Sequence, residues 1–305
     1  MRTHLFAAAV TSLVALSTPA CPAESWQQAI AAGLGKTGTE LPGGVYRVGL
    51  PRTDLKVMLD GVEIKPALAL GSWLAFRSTD KEVIVMGDLV LTQEEVNPVM
   101  TKLEEGGVEV TALHNHLLRA VPNPMYMHVH GHGDPGKLAA ALHAALTLTK
   151  TPFGTEDAGP SATQQTTATG NQEATIDLDT TTIERTLGAK GKVTGGVYQM
   201  TAPRAETVRV AGIEVPASMG SAIAINFQPT EAGKAAITGD FVLTADEVSA
   251  VAKTLRANEI EVTAIHNHML GDEPRLFFMH FWAKDDARKL AKGLRAALDH
   301  VKTAK

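Results

Sequence analysis

The chain has 305 residues with a formal net charge of −5, and 44% of its residues are hydrophobic, which is ordinary for a globular protein long enough to form two domains. It contains no basic run, which argues against a nucleic-acid-binding surface, and aromatic residues make up only 5%, which argues against a stacking platform for sugars or bases. Cys21 is the only cysteine, so an internal disulfide and a thiolate metal site are both excluded.

The first 23 residues have the pattern of a secretory signal. Arg2 precedes an uncharged apolar run from Leu5 to Leu16, which is too short to span a membrane and is followed by small residues. We therefore expect removal of residues 1–23, a periplasmic or extracellular location, and no transmembrane span in the remaining chain. Cleavage before Cys21 with a lipid anchor is the alternative, although Thr18 stands where such signals usually place leucine.

An internal repeat dominates the rest of the sequence. "GGVYRV" at Gly43 returns as "GGVYQM" at Gly195, and "GDLVLTQEEV" at Gly87 returns as "GDFVLTADEV" at Gly239, each 152 residues later. Two copies at this spacing indicate a duplicated domain, with one repeat over residues 24–150 and a second over 175–305. The segment 151–174 has one large apolar residue, Phe153, so we predict a flexible linker there.

Both repeats predict the same elements in the same order. A short helix opens each one ("SWQQAIAAGLG" and "TTTIERTLG"), and short β-rich segments with a hairpin turn at Gly61 follow in the first. A helix then begins at the capping box "TQEE" or "TADE", followed by two histidine-bearing strands and a closing helix. The fold class expected is α+β, built from two homologous repeats with antiparallel strands and a histidine-bearing hairpin. The predicted strands of the first repeat are Val45 to Val48, Leu55 to Leu59, Trp73 to Arg77 and Val83 to Met86.

Histidines recur at one spacing on these predicted strands. His114 and His116 are two residues apart, so on a strand they point the same way, about 7 Å apart. His128 lies on the next strand, and pairing of the two strands as a hairpin would bring it opposite the first two. The second repeat reproduces the arrangement with His266, His268 and His280.

Three neutral imidazoles are the ligand set of a zinc site that keeps an open water position. We therefore predict that these six histidines bind a divalent transition metal, with zinc, copper, nickel and ferrous iron all compatible with imidazole nitrogen. The alternative is that each histidine only makes a hydrogen bond in a half-buried position. The spacing leaves open whether the repeats form two sites or share one.

The turn beside the histidines differs between the repeats. The second repeat has Glu273 and Arg275 there, whereas the first has Val121 and Asn123. A carboxylate near metal-bound water suits a general base, and an arginine suits an anionic substrate, so Glu273 and Arg275 are the candidate catalytic residues. A solvated ion pair on the turn is the alternative explanation.

Two functions follow from these features. The first is metal-assisted hydrolysis or lyase chemistry, in which the metal generates the nucleophile from water. The second is a non-catalytic cell-envelope module that captures a small ligand or a protein partner. The oligomeric state is left open.

The segments "EVTALHNHLL" and "EVTAIHNHML", together with the later "PRLFFMHFW", resemble the LppY/LpqO family of exported bacterial proteins. The resemblance covers nearly the whole chain from about Glu24 onward. It implies an exported or lipid-anchored bacterial protein with two modules of unknown function, and it implies no reaction. The first repeat departs from the pattern where Asn123 replaces the arginine.

Overall fold

The computed structural model describes residues 25–79, 82–153 and 176–304. The predicted signal at 1–23 lies outside these residues, as does the predicted linker beyond residue 153. The α+β class with two homologous repeats is confirmed. Residues 25–153 are called repeat 1 below, and residues 176–304 are called repeat 2.

Each repeat alternates helices with antiparallel strands. Repeat 1 consists of α1 (Trp26–Leu34), β1 (Thr39–Leu41), β2 (Val45–Pro51), β3 (Met58–Leu59), β4 (Val62–Glu63), α2 (Pro66–Ala69), β5 (Gly71–Ser78), β6 (Val83–Leu91), α3 (Gln93–Glu105), β7 (Glu109–His114), β8 (Met125–Gly133) and α4 (Pro135–Leu146). Repeat 2 consists of α5 (Thr180–Leu187), β9 (Gly191–Thr194), β10 (Val197–Pro203), β11 (Arg209–Val210), β12 (Ile213–Glu214), a 3-10 turn (Ala217–Met219), β13 (Ala222–Pro229), β14 (Lys234–Leu243), α6 (Ala245–Ala257), β15 (Glu261–His266), β16 (Asp272–Glu273), β17 (Phe277–Asp286) and α7 (Ala287–Leu298).

Both repeats build a six-stranded antiparallel sheet with the same strand order. The order is β1-β2-β5-β6-β8-β7 in repeat 1 and β9-β10-β13-β14-β17-β15 in repeat 2. The strands β7 and β15, which end at the first histidine of each motif, are therefore the equivalent edges of the two sheets. Within the described parts of the chain, no helix is both long and apolar enough to cross a membrane.

The helix starts follow the predicted caps. The Glu95 carboxylate accepts a hydrogen bond from the Thr92 backbone N–H at 2.9 Å, and Glu247 accepts one from Thr244 at 2.8 Å. These are the backward-reaching halves of the two capping boxes, which satisfy donors that a helix start leaves free.

The central strand β6 is buried along its whole length, because both faces of the sheet are covered. Val85 and Leu89 pack against the helices of repeat 1. Ile84 and Met86 point the other way and join a core cluster made mainly of repeat 2. The face of the sheet that carries Ile84 and Met86 therefore packs against repeat 2. Asp88, two residues after Met86 on the same strand, lies on this face.

A buried arginine anchors the same place in each repeat. Arg52 donates to Glu95 at 2.8 Å and to the Val90 carbonyl at 2.7 Å. Arg204 donates to Glu247 at 2.7 Å and to the Val242 carbonyl at 2.6 Å. The two capping glutamates therefore also neutralise a buried guanidinium, a second role that the capping pattern alone did not indicate.

Candidate metal centre

The predicted histidine-bearing hairpin is present in repeat 1. Strand β7 pairs with β8 so that Ala112 lies opposite His128 and His114 lies opposite Tyr126. Residues directly opposite in an antiparallel pair share a face, so His128 shares a face with Ala112. His114 is two residues after Ala112 on β7, so it lies on the same side of the sheet as His128. Their ring centroids are 4.8 Å apart.

The second histidine of each motif is not on a strand. Strand β7 ends at His114 and β15 ends at His266, so His116 and His268 lie in the following loops. In repeat 1 the Asn115 side chain accepts a hydrogen bond from the Leu117 backbone at 2.8 Å and turns the chain. The expected separation of about 7 Å along a strand is therefore wrong, and the rings of His114 and His116 have centroids 4.8 Å apart.

The six histidines form one cluster across the boundary between the repeats. His114 stacks on His266, with ring centroids 3.6 Å apart. The other two pairs are reciprocal, since the second histidine of each motif stacks on the third histidine of the other repeat, also at 3.6 Å. These pairs are His116–His280 and His128–His268. All six rings therefore belong to a single histidine cluster at the boundary between the repeats.

Direct hydrogen bonds between the repeats fix one loop of this cluster. The Thr111 hydroxyl donates to the His268 carbonyl at 2.8 Å, and the Asn267 side-chain amide donates to the Thr111 carbonyl at 2.7 Å. Thr111 lies where the β7–β8 register shifts, at an irregularity that takes its backbone out of the regular ladder. The hydroxyl and the backbone carbonyl of Thr111 in repeat 1 therefore hold the histidine loop of repeat 2.

Two carboxylates lie beside the cluster on the central strands. Asp88 lies opposite His128 in the sheet of repeat 1, and Asp240 lies opposite His280 in that of repeat 2. In each pair a carboxylate oxygen is 3.8 Å from Nδ1 of the imidazole. The cluster thus combines six imidazoles with two aspartates, all facing the other repeat.

The surroundings keep the imidazoles neutral. Burial lowers the pKa of every ring in the cluster, to about 4 at His266, about 3 at His268 and about 2 at His114. Neighbouring histidines lower the pKa further at every ring except that of His266, because two imidazolium charges in contact repel each other. Neutral imidazole is the form that binds metals.

The aspartates are shifted in the opposite direction. Burial raises the pKa of Asp88 to about 8, with the nearby Arg47 opposing the shift. Burial also raises the pKa of Asp240 well above its usual range, and repulsion from Asp88 adds to it. Removing a carboxylate from water disfavours its charged form unless a cation is close.

Most of the ring nitrogens in the cluster have no hydrogen-bond partner among the described residues. Nε2 is buried and unpaired in five of the six rings, those of His114, His116, His128, His266 and His280. In two of these rings Nδ1 faces a backbone carbonyl at 2.9 Å, that of Asn267 for His266 and that of Gly239 for His280. A carbonyl requires a donor, so Nδ1 carries the proton there and the Nε2 lone pair is left for a metal.

Two groups of donor atoms are close enough to share an ion. The first contains His114, His116, His128 and His266, and the second contains Asp240, His266 and His280. Within each group the donor atoms lie within 4.8 Å of one another. Ligand distances of about 2.0–2.1 Å in tetrahedral geometry put donor atoms about 3.3 Å apart, so closing on an ion takes movements of about 1 Å or less.

The sequence matches the family model described as Domain of Unknown Function (DUF1259) twice, over residues 28–148 and 181–300. The chain belongs to this family. The match supports a duplicated domain of unknown function, whereas the LppY/LpqO name stays a prediction. No curated protein matches the chain at a significant level.

Three solved structures align along most of the chain. The trimeric bacterial microcompartment shell protein PduB is 10% identical, covers 88% of this chain and 95% of its own, and has a TM-score of 0.22. The ethanolamine utilization protein EutL from Leptotrichia buccalis C-1013-b is 11% identical, covers 87% and 95%, and has a TM-score of 0.19. EtuB from Clostridium kluyveri is 9% identical, covers 86% and 90%, and also has a TM-score of 0.19. Likenesses this low carry no inference about the two DUF1259 domains.

The candidate catalytic residues of the second DUF1259 domain lie on the turn after its histidine loop. Arg275 donates to the Asp272 carboxylate at 3.0 Å and to the carbonyls of Met269 and Leu270 at 3.4 and 3.3 Å. Glu273 is exposed on β16. The contacts of Arg275 are thus with its own loop, and a catalytic role for Glu273 and Arg275 stays a prediction.

Sequence reasoning missed both aspartates of the centre. Their signal was a Gly-Asp pair inside an otherwise apolar strand, "VIVMGDLVL" around Asp88 and the equivalent stretch around Asp240. An acidic residue in the middle of a buried strand needs a partner, and its presence in both DUF1259 domains could have identified it.

The two DUF1259 domains differ next to these aspartates. Trp73 lies opposite Asp88, whereas Ala224 lies opposite Asp240. The Trp73 ring is stacked near His268, with centroids 6.1 Å apart, and the Arg47 guanidinium lies over the Trp73 ring, 4.2 Å from its centroid. His268 is the one cluster histidine that belongs to neither donor group.

Proposed function

We propose that this chain is a metal-binding protein in which histidines of both DUF1259 domains hold a divalent transition-metal ion. The observation that carries the proposal is the set of five buried Nε2 atoms without hydrogen-bond partners, gathered from two repeats into one cluster. Zinc, copper, nickel and ferrous iron all bind imidazole nitrogen, and the donor set favours them over calcium or magnesium, which prefer oxygen.

The energetics of the cluster support this proposal. A buried polar atom without a partner costs about 1–3 kcal/mol, and the described residues leave several such atoms side by side in the cluster. An ion bound to Nε2 removes these costs together. It also places positive charge beside Asp88 and Asp240, whose carboxylates are otherwise buried with little compensation.

The donor set favours metal retention over turnover. His114, His116, His128 and His266 supply four ligands, which close a tetrahedral shell, and closed shells are typical of structural sites. Catalysis of hydrolysis requires an open position for water, so we propose a metal-dependent link between the repeats within an exported binding module. Metal-assisted hydrolysis, with Glu273 and Arg275 acting on substrate, is the less supported reading.

Elemental analysis of the purified full chain tests the proposal. A variant that lacks two ligands, His114→Ala/His128→Ala, should lose the ion of the four-imidazole group and hold less metal than the wild type, whereas His300→Ala should keep the wild-type content, because His300 is an exposed residue just beyond α7. Circular dichroism of each variant shows that the fold is retained. Equal metal content in the double variant and the wild type, or no metal in the wild type after incubation with zinc and gel filtration, would contradict the proposal.

A further inference from the structure

We infer that the histidine cluster takes two metal ions per chain, the second held by Asp240, His266 and His280. This inference rests on the proposed function, since it concerns the same cluster and adds a second site to it. Two imidazoles and one carboxylate form a ligand set typical of non-haem iron and related divalent ions.

The first step is the surplus of donors. One ion on His114, His116, His128 and His266 satisfies four imidazoles. It leaves Nε2 of His280 and one carboxylate oxygen of Asp240 buried, neither with a hydrogen-bond partner among the described residues. These two unpaired atoms point to a second ligand, and Asp240, His266 and His280 each offer a donor atom within 4.8 Å of those of the other two.

The second step concerns His266, which belongs to both donor groups. Its Nδ1 is engaged with the Asn267 carbonyl at 2.9 Å, so only Nε2 is free, and one nitrogen binds one ion. Binding of the second ion therefore takes His266 from the first group. In the doubly loaded chain each ion then has three protein ligands from one repeat, and the first ion is less tightly held than when alone. The ion that links the two repeats is therefore a feature of the chain with one ion bound.

The third step explains why the two sites differ in composition. The first ion uses three histidines of repeat 1, including His116 in the loop after β7. The equivalent histidine of repeat 2, His268, stacks on His128 and belongs to neither donor group. Repeat 2 completes its set with Asp240, which lies opposite His280 on β17 and opposite the small side chain of Ala224 on β13.

The charge of the second ligand set is also suitable. Two divalent ions in one cluster repel each other, and the repulsion is strong where water is excluded. A carboxylate ligand offsets part of it. Asp240 supplies that charge at the second site, and Asp88 lies beside His128 at the first, with an oxygen 3.8 Å from its Nδ1.

Titration of the metal-free full chain with Co²⁺ tests this inference. The wild type should bind two ions in two steps, the second at least about tenfold more weakly, which is about 1.4 kcal/mol. Asp240→Ala should bind one ion. The matched control Glu214→Gln, which removes an exposed carboxylate of the same repeat, should still bind two.

A second measurement needs no variant. Loading the wild type with two equivalents of Cu²⁺ should produce spin coupling in the electron paramagnetic resonance spectrum, which one equivalent does not. If Asp240→Ala fails to fold, His280→Ala replaces it with the same expected stoichiometry. Saturation of the wild type at one ion, or uncoupled copper at two equivalents, overturns the second site and leaves the proposed function intact. Binding of no ion overturns both.

Discussion

The two repeats are alike in frame and unlike around the histidines. Tyr126 of repeat 1 stacks on His116 with ring centroids 3.4 Å apart, and its hydroxyl donates to the Ala69 carbonyl. The equivalent residue of repeat 2, Phe278, lies tilted beside His268 at 4.7 Å. Both repeats present the same three histidines and the same aspartate to one shared cluster.

This difference separates the residues that contact the other repeat from those that contact only their own. Each cluster ring stacks on a ring from the other repeat, so a change on one side alters the environment on both. Tyr126 and Phe278 each contact the first two histidines of their own repeat, and there the two repeats differ. The shared centre therefore has the same residue types from both repeats and different neighbouring side chains.

Substitution of the buried arginines is the strongest test of whether the two repeats contribute equally to stability. Arg52→Ala and Arg204→Ala should each lower the free energy of unfolding by about 3–5 kcal/mol, because each leaves a buried glutamate without its partner. Urea denaturation measures both losses. A large loss in one repeat and none in the other would show that the two frames are not equivalent.

The second histidines of the two motifs, His116 and His268, should contribute unequally to metal binding. His116→Ala should weaken binding of the first metal ion by about 100-fold, or about 2.7 kcal/mol, because His116 belongs to the four-imidazole group. His268→Ala should change it little, because His268 is in neither donor group. Competition with a chelator of known affinity measures the difference, and equal effects would show that the ligand groups are assigned incorrectly.

Trp73 should account for part of the asymmetry. Trp73→Ala removes a large side chain that contacts Arg47 and lies stacked near His268, so we expect a loss of about 2 kcal/mol in stability, below the range for a fully buried tryptophan. Trp73→Phe keeps a ring in place and should cost less. Thermal unfolding of both variants, each stripped of metal, provides the measurement. A phenylalanine as damaging as alanine would argue against ring stacking as the contribution of Trp73.

The smallest effect is expected at the exposed contact between the repeats. Arg119 pairs with Asp60 at 2.9 Å and with Glu261 of the other repeat at 2.9 Å. Because these groups are screened by water, Arg119→Ala should cost less than about 1 kcal/mol. Urea denaturation at low and high salt checks this, and a loss comparable to that of the buried arginines would mean that this ion pair joins the repeats.

Much of the fold was predictable from local patterns. The capping glutamates Glu95 and Glu247, the opening and closing helices and the pairing of the histidine strands all follow from spacing within a few residues. The full length of β6 was not predicted, because a strand covered on both faces shows no alternation. Asp88 was missed for the same reason, since it lies inside that strand.

The sequence by itself determined the duplication, the element order and the identity of the six histidines, because these depend on short-range patterns and on comparison of one copy with the other. Only the tertiary structure decided that the histidines stack in pairs across the repeats, namely His114 on His266, His116 on His280 and His128 on His268. It also decided that Asp88 and Asp240 lie beside these rings. The contacts between rings join residues about 150 positions apart in sequence, and they arise from the packing of two sheet faces. No local pattern encodes such a contact, because which face meets which depends on the whole buried surface of both repeats.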